Sequence, residues 1–333
     1  MNQYINEIYD MELTYYDGYE SFCYQNCLRI LLQAMGYKYP ELYINAAMTL
    51  RLREKTEGIC FEFHNEMRGL LPNFESNVVR IYEKENSNVI WEKNRTYLNE
   101  RHEPIIVGVD TYYLPYASNY KKNHAKHTLI LCGYDLTEDV VYVIDWYPSW
   151  FYRGKVKLDD FLKARSSRNE SDGSIYSGSP IENNWAYINR FEACASEDLM
   201  REFLETSVEK FFFPICEEEG IEAIGKMCNE LKTDCNIDFN NLYQSVFAIV
   251  RRVSFFTQYL KIYNDCCGEI ISKKLFEWLN EIKGDWEMLQ FLFMKQLRSN
   301  KNANLKKIAK HMESIYQREK EIGVELQRIL GGL

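Results

Sequence analysis

The period of the hydrophobic pattern changes once along this chain, close to residue 193, and that change limits the fold more than any other feature. Upstream of it, short β-rich runs alternate with two helical stretches. "EPIIVGVDTYYL" (103–114) contains a continuous apolar run and reads as a buried strand. "HTLILCGYD" (127–135), the polar turn "LTED" and "VVYVID" (140–145) read as a hairpin, and "WAYINRF" (185–191) as a last strand. In "CLRILLQAMGY", Leu28, Leu31, Leu32 and Met35 recur at helical spacing. Gly36 is a natural stop and Ser21 a candidate N-cap. "LDDFLKAR" (158–165) is a short helix with acidic residues in its first turn, and the Ser/Gly/Asn-rich segment 166–184 reads as a mobile loop. Downstream, five segments carry helical periodicity and strand signals stop. The expected architecture is an α+β domain over 1–192 followed by an all-helical domain over 193–333, with no internal repeat.

Bulk properties exclude several function classes. The net charge of −9 argues against a whole-protein electrostatic fit to nucleic acid, and there is no P-loop, GxGxxG or zinc-finger spacing. The first residues lack the basic and apolar regions of a signal peptide, and no run of about 18 apolar residues could span a membrane. A cytoplasmic protein with reduced thiols is therefore expected, so the 10 cysteines are not read as a disulfide framework. Aromatic residues make up 15 % of the chain, enough for a large core and a ring-lined pocket.

Three residues line up as a chemical set. Cys23 falls where a polar turn becomes a helix, His127 opens one strand of the hairpin, and Asp145 closes the other. A helix N-terminus and a neighbouring imidazolium both favour the thiolate, the reactive form. An imidazole in turn needs a carboxylate or amide to fix its tautomer, and adjacent strands can present one. Each residue alone has a plainer reading: a small core thiol, a structural histidine, a turn-forming aspartate. Cys27 has the phase of the apolar stripe and reads as packing. The C-x3-C spacing is not that of a zinc pair, and no metal or bound cofactor is expected. His124 could substitute for His127 but sits in the polar "KKNHAK" stretch; Cys132 reads as a buried strand residue, and Cys266 and Cys267 as helix packing.

These residues carry a family resemblance. "CYQNCLRILLQAMGYKYPE" resembles the start of the butirosin biosynthesis protein H family, through Cys23, Leu28, Arg29, Leu31, Leu32 and Gly36. "PIIVGVDTYYLPY" (104–116) resembles a family strand ending in Asp-x-Tyr-Tyr-Leu-Pro-Tyr. "HTLILCGYDLTEDVVYVIDWYPS" (127–149) resembles its His…Gly-Tyr-Asp…Asp block. The resemblance spans about the first 190 residues well and the helical remainder in outline.

The resemblance implies a papain-like, or C39-peptidase-like, cysteine fold turned to acyl transfer. An acyl or peptidyl group would arrive as a thioester on the phosphopantetheine arm of a carrier protein. Cys23 would be the nucleophile, His127 the base and Asp145 the orienting acid, and an amine acceptor, a small diamine or an amino-sugar, would leave as an amide. The joining of a carrier-bound chain to a diamine in closthioamide-type pathways is one precedent. One position departs from the papain-like pattern: Asp17 stands where a Gln would help form the oxyanion hole, and an anion there would repel the oxyanion. The basic stretch 295–320 is a candidate docking face for an acidic carrier. Rival readings are a cysteine peptidase or thioesterase, and a catalytically inactive scaffold.

Overall fold

The computed structural model describes residues 2–13, 22–44, 48–55, 58–62, 77–82, 85–146, 150–174, 176–192, 196–233, 237–299 and 305–331. They form two compact units: Met1–Pro40 with Asn73–Ala193, and Glu41–Pro72 with Cys194–Leu333.

The first unit is α+β. Its strands are β1 (Gln3–Ile5), β4 (Val78–Ile81), β5 (Ile105–Asp110), β6 (Lys126–Asp135), β7 (Val140–Asp145), β8 (Tyr152–Lys157) and β9 (Trp185–Ile188). They make one antiparallel sheet in the order β4-β9-β5-β6-β7-β8. Strand β6 is long enough to take two partners along one edge: β5 pairs with Lys126–Leu131 and β1 with Gly133–Asp135. The register shifts between Leu131 and Gly133. A Cβ on Gly133 would lie 2.2 Å from the Tyr4 carbonyl oxygen, so only glycine lets β1 close on this edge.

The sheet alternation dictates its packing. Val107, Leu129, Leu131 and Val143 share a buried cluster with Trp91 and Phe161. Trp91 and Phe161 come from two helices, α2 (Ser87–Arg101) and α3 (Leu158–Ser166), and meet edge to face at 6.1 Å. Helix α1 (Cys23–Ala34) packs on β5 and β6 and buries Leu28, Leu31 and Leu32, the stripe read from the sequence. It stops at Gly36, whose φ of +86° is left-handed. The segment 111–114, read as the end of a strand, is instead a 3-10 turn at Thr111–Tyr113, because the Asp110 side chain accepts the Tyr112 N–H at 3.0 Å. Helix α2 was not legible as a helix, since it buries only Ile90, Trp91, Asn94 and Leu98.

The second unit is mainly helical: α4 (Glu197–Phe212), α5 (Gly220–Glu230), α6 (Phe239–Cys267), α7 (Lys273–Ser299) and α8 (Leu305–Gly331). A hairpin of β2 (Arg51–Lys55) and β3 (Gly58–Glu62) belongs with these helices. Leu52 donates its N–H to the Glu218 carbonyl at 2.7 Å, Gly220 to Leu50 at 2.9 Å, and the Ser245 hydroxyl to Phe61 at 2.7 Å. A break at residue 193 separates this hairpin from its partners, because its few residues carry no helical period. In the centre of the unit Arg252 and Glu319 are both buried, and the Trp286 indole N–H donates to Glu319 at 3.0 Å. Within the basic stretch, Arg318 bridges Glu281 and Asp285, while Lys306, Lys307 and Lys310 are exposed.

Candidate active site

Cys23 is the first residue of α1, after Phe22 at the N-cap. Phe22 offers no side-chain acceptor, and Ser21 lies outside the described residues. Cys23 therefore sits, half-buried, at the positive end of the helix dipole. Cys27, one turn further, is buried and points its thiol at the Thr128 carbonyl at 3.7 Å. Burial holds its pKa well above that of a free thiol.

The hairpin register brings the other two residues together. Ile130 faces Ile144, so Asp145 stands opposite Leu129, and His127 is two residues along on the same face as Leu129. That diagonal is within reach of long side chains. His127 Nε2–H donates to Asp145 Oδ1 at 2.8 Å, with both side chains buried. His127 also hydrogen-bonds the Cys23 thiol; with Nε2 engaged by Asp145, Nδ1 is the nitrogen left for sulfur.

The charges reinforce each other. Burial pushes the His127 pKa down, but the Asp145 carboxylate and Cys23 outweigh it and raise it to about 10. Burial pushes the Cys23 thiol up, but the charge and hydrogen bond of His127, with hydrogen bonds from Thr128, bring it below its ordinary value. Both shifts favour a thiolate–imidazolium pair at neutral pH. The arrangement can attack an electrophilic carbonyl and pass a proton to and from a leaving or entering group.

A residue absent from the sequence reading completes the set. The Tyr116 hydroxyl donates to Asp145 Oδ2 at 2.9 Å, so the carboxylate uses one oxygen for His127 and the other for Tyr116. Burial, then the Asp145 charge, holds the Tyr116 pKa well above 10, and the phenol stays protonated. Tyr116 stacks on Tyr152 at 3.8 Å, and the Trp150 ring meets His127 edge-on at 5.5 Å. These rings cover the His127–Asp145 pair. The "YYLPY" block held the only signal, and it did not say which tyrosine would turn inward.

His124 is engaged elsewhere. Its Nδ1 pairs with Asp110 Oδ2 at 2.7 Å and its ring stacks on Tyr112 at 4.3 Å. The fully buried Asp110 also accepts from the Ser167 hydroxyl at 2.6 Å and from the Ala125 N–H at 3.1 Å. Segment 166–184, expected to be mobile, is tied to this cluster. The His124 N–H donates to Asp172 at 2.6 Å, the Ser174 hydroxyl to the His124 carbonyl at 2.7 Å, and the Lys126 N–H to Tyr176 at 2.9 Å. Ser and Asn side chains replace the apolar contacts the loop lacks. Asp17 lies outside the described residues. Among the described residues all eight cysteines are free thiols, no cluster of His, Cys, Asp and Glu could hold a metal, and no helix is long and apolar enough to cross a membrane.

The family model described as "Butirosin biosynthesis protein H, N-terminal" matches residues 23–146. Over this stretch the chain is similar to that family. The match begins at Cys23 and ends one residue past Asp145, so it encloses the thiol, the imidazole and the carboxylate. Similarity to the butirosin biosynthesis protein H family suggests an acyltransferase of antibiotic biosynthesis. No curated protein matches the chain.

Proposed function

We propose that this protein is an amide-forming acyltransferase with a Cys23–His127–Asp145 triad on a papain-like fold. It takes an acyl or peptidyl group from a carrier-protein thioester and transfers it to an amine. The observation that carries the reading is the contiguous set of Cys23 at a helix N-terminus, His127 and Asp145, with the 2.8 Å His–Asp hydrogen bond and opposed pKa shifts.

The Cys23 thiolate attacks the thioester carbon, and the tetrahedral oxyanion forms beside the first-turn N–H groups of α1. The Cys23 N–H is the first donor in line, which removes the need for a Gln at position 17. The intermediate collapses, the C–S bond to the carrier arm breaks, and His127 returns its proton to the leaving pantetheine thiol. One thioester replaces another, so this half-reaction is close to balanced. The neutral amine then attacks acyl-Cys23, His127 takes the amine proton, and the C–S bond to Cys23 breaks as the amide forms. Amide formation from a thioester runs downhill, without ATP at this step. Trp150, Tyr116 and Tyr152 limit water at His127, which disfavours hydrolysis.

Incubation with an acyl-loaded carrier protein and a panel of diamines and amino-sugars tests the reading. Amide is the expected product, absent with Cys23→Ala. Free acid as the sole product, with every amine, would make the protein a thioesterase.

A further inference from the structure

A pocket of about 520 Å³, counted with its open mouth, lies on the flank of α1 within the first unit. Tyr24, next in chain to Cys23, lines it, as does Thr128, which hydrogen-bonds the Cys23 thiol. Two residues of the pocket wall are thus direct neighbours of the nucleophile. Among the described residues Arg80 and Lys126 are its only charged lining residues, and no carboxylate lines it.

The net charge is −9, and some cations of the same unit have carboxylate partners: Lys93 with Glu85 at 3.0 Å, Arg95 with Glu92 at 2.7 Å, Lys163 with Asp159 at 2.5 Å. Arg80 and Lys126 make no ion pair among the described residues. Arg80 is also held in place. Its Nε–H donates to the Tyr24 hydroxyl at 3.0 Å, and its guanidinium lies 4.5 Å from the Tyr24 ring centre. That fixes the fork while leaving its terminal N–H groups without an acceptor among the described residues, an arrangement suited to a carboxylate or phosphate. The Lys126 ammonium donates to the Pro180 carbonyl at 3.2 Å and to no other acceptor among the described residues.

We infer that this pocket is a subsite for an anionic group of the acyl donor, held by Arg80 and Lys126 while the thioester carbon meets Cys23. The inference rests on the proposed acyl transfer and adds where the donor lies. A cationic amine is repelled here, so donor and acceptor approach Cys23 from different sides. Two donor groups share the required chemistry: the phosphate of the phosphopantetheine arm, and a carboxylate on the acyl chain.

The test compares thioesters of one acyl group on 4′-phosphopantetheine and on pantetheine, each with and without a terminal carboxylate on the acyl chain. Wild-type protein and the Arg80→Met/Lys126→Met variant are assayed together; both substitutions are at exposed positions. Wild type is expected to favour the anionic donor by about 10-fold or more in kcat/KM, and the variant to bring that ratio close to one. A ratio that follows the phosphate assigns the pocket to the arm, and one that follows the carboxylate assigns it to the acyl chain. A wild-type ratio near one, or a ratio unaltered in the variant, overturns the inference. Should no donor acylate wild-type Cys23, the acyl-transfer reading fails on its own. Calorimetry then decides the pocket, with free 4′-phosphopantetheine and succinate as probes against pantetheine and succinamide. Tighter binding of either anion than of its neutral counterpart, weakened in the variant, supports it, and equal binding of both pairs refutes it.

Discussion

Replacing Tyr116 by Phe isolates the least expected part of the site. The phenyl ring keeps its 3.8 Å stack on Tyr152, and only the hydroxyl that donates to Asp145 Oδ2 is lost. A hydrogen bond to a buried charged group contributes about 1.5–3 kcal/mol. Expressed wholly in the transition state, that is a rate loss of about 10- to 100-fold, since about 1.4 kcal/mol is a factor of ten. The loss should travel through His127. An Asp145 no longer held by Tyr116 supports the imidazolium less, and the Cys23 thiolate loses part of what lowers its pKa. The assay is alkylation of Cys23 by iodoacetamide across pH, followed by intact mass, beside the transfer rate. The midpoint of the alkylation curve should move to higher pH, and the rate at pH 7 should fall. A curve superimposable on that of wild type would refute the positioning role. So would a rate loss matched by Tyr116→Leu at equal loss of melting temperature, because ring packing rather than the hydroxyl would then explain it.

Other outcomes follow from the same structure. Cys23→Ala should abolish acyl transfer, whereas Cys27→Ala should keep it; iodoacetamide should label Cys23 and spare the buried Cys27 in the folded protein, read by peptide mapping. Gly133→Ala should destabilise the protein by about 1–3 kcal/mol by forcing β1 from β6, measured by denaturant melts. Glu319 has its pKa raised by burial from 4.5 to about 7, so between those values the folded state binds more protons than the unfolded and stability falls as pH rises. Glu319→Gln removes that titration. Its stability relative to wild type should therefore move in the variant's favour by about 3 kcal/mol from pH 4.5 to 7.5, at about 1.4 kcal/mol per pKa unit. A pH-independent difference in melting would contradict that.

The legible parts of the chain were those written in period and order. The stripe of Leu28, Leu31 and Leu32, the apolar run of β5 and the β6–β7 hairpin depend on local alternation, and they place Cys23, His127 and Asp145 at element ends. Tyr116 was hidden because its role depends on a turn folding it back over Asp145, which no local pattern records. Choosing between His124 and His127 likewise needed tertiary information: one sits with Asp110 and the other with Asp145. The β2–β3 hairpin was misplaced by a reading in chain order, since its partners are helices far downstream. Segment 166–184 has the composition of a free loop, yet its polar side chains find backbone partners beside the strand that carries His127.

The central claim is that Cys23 carries the acyl group between donor and amine. Intact-mass measurement after mixing the protein with an acyl-carrier thioester, in the absence of amine, tests it most directly. The account predicts a mass increase equal to one acyl group, mapped to Cys23 and discharged as amide when an amine is added. No adduct on wild type while amide still forms, or an adduct that persists with Cys23→Ala, would contradict it.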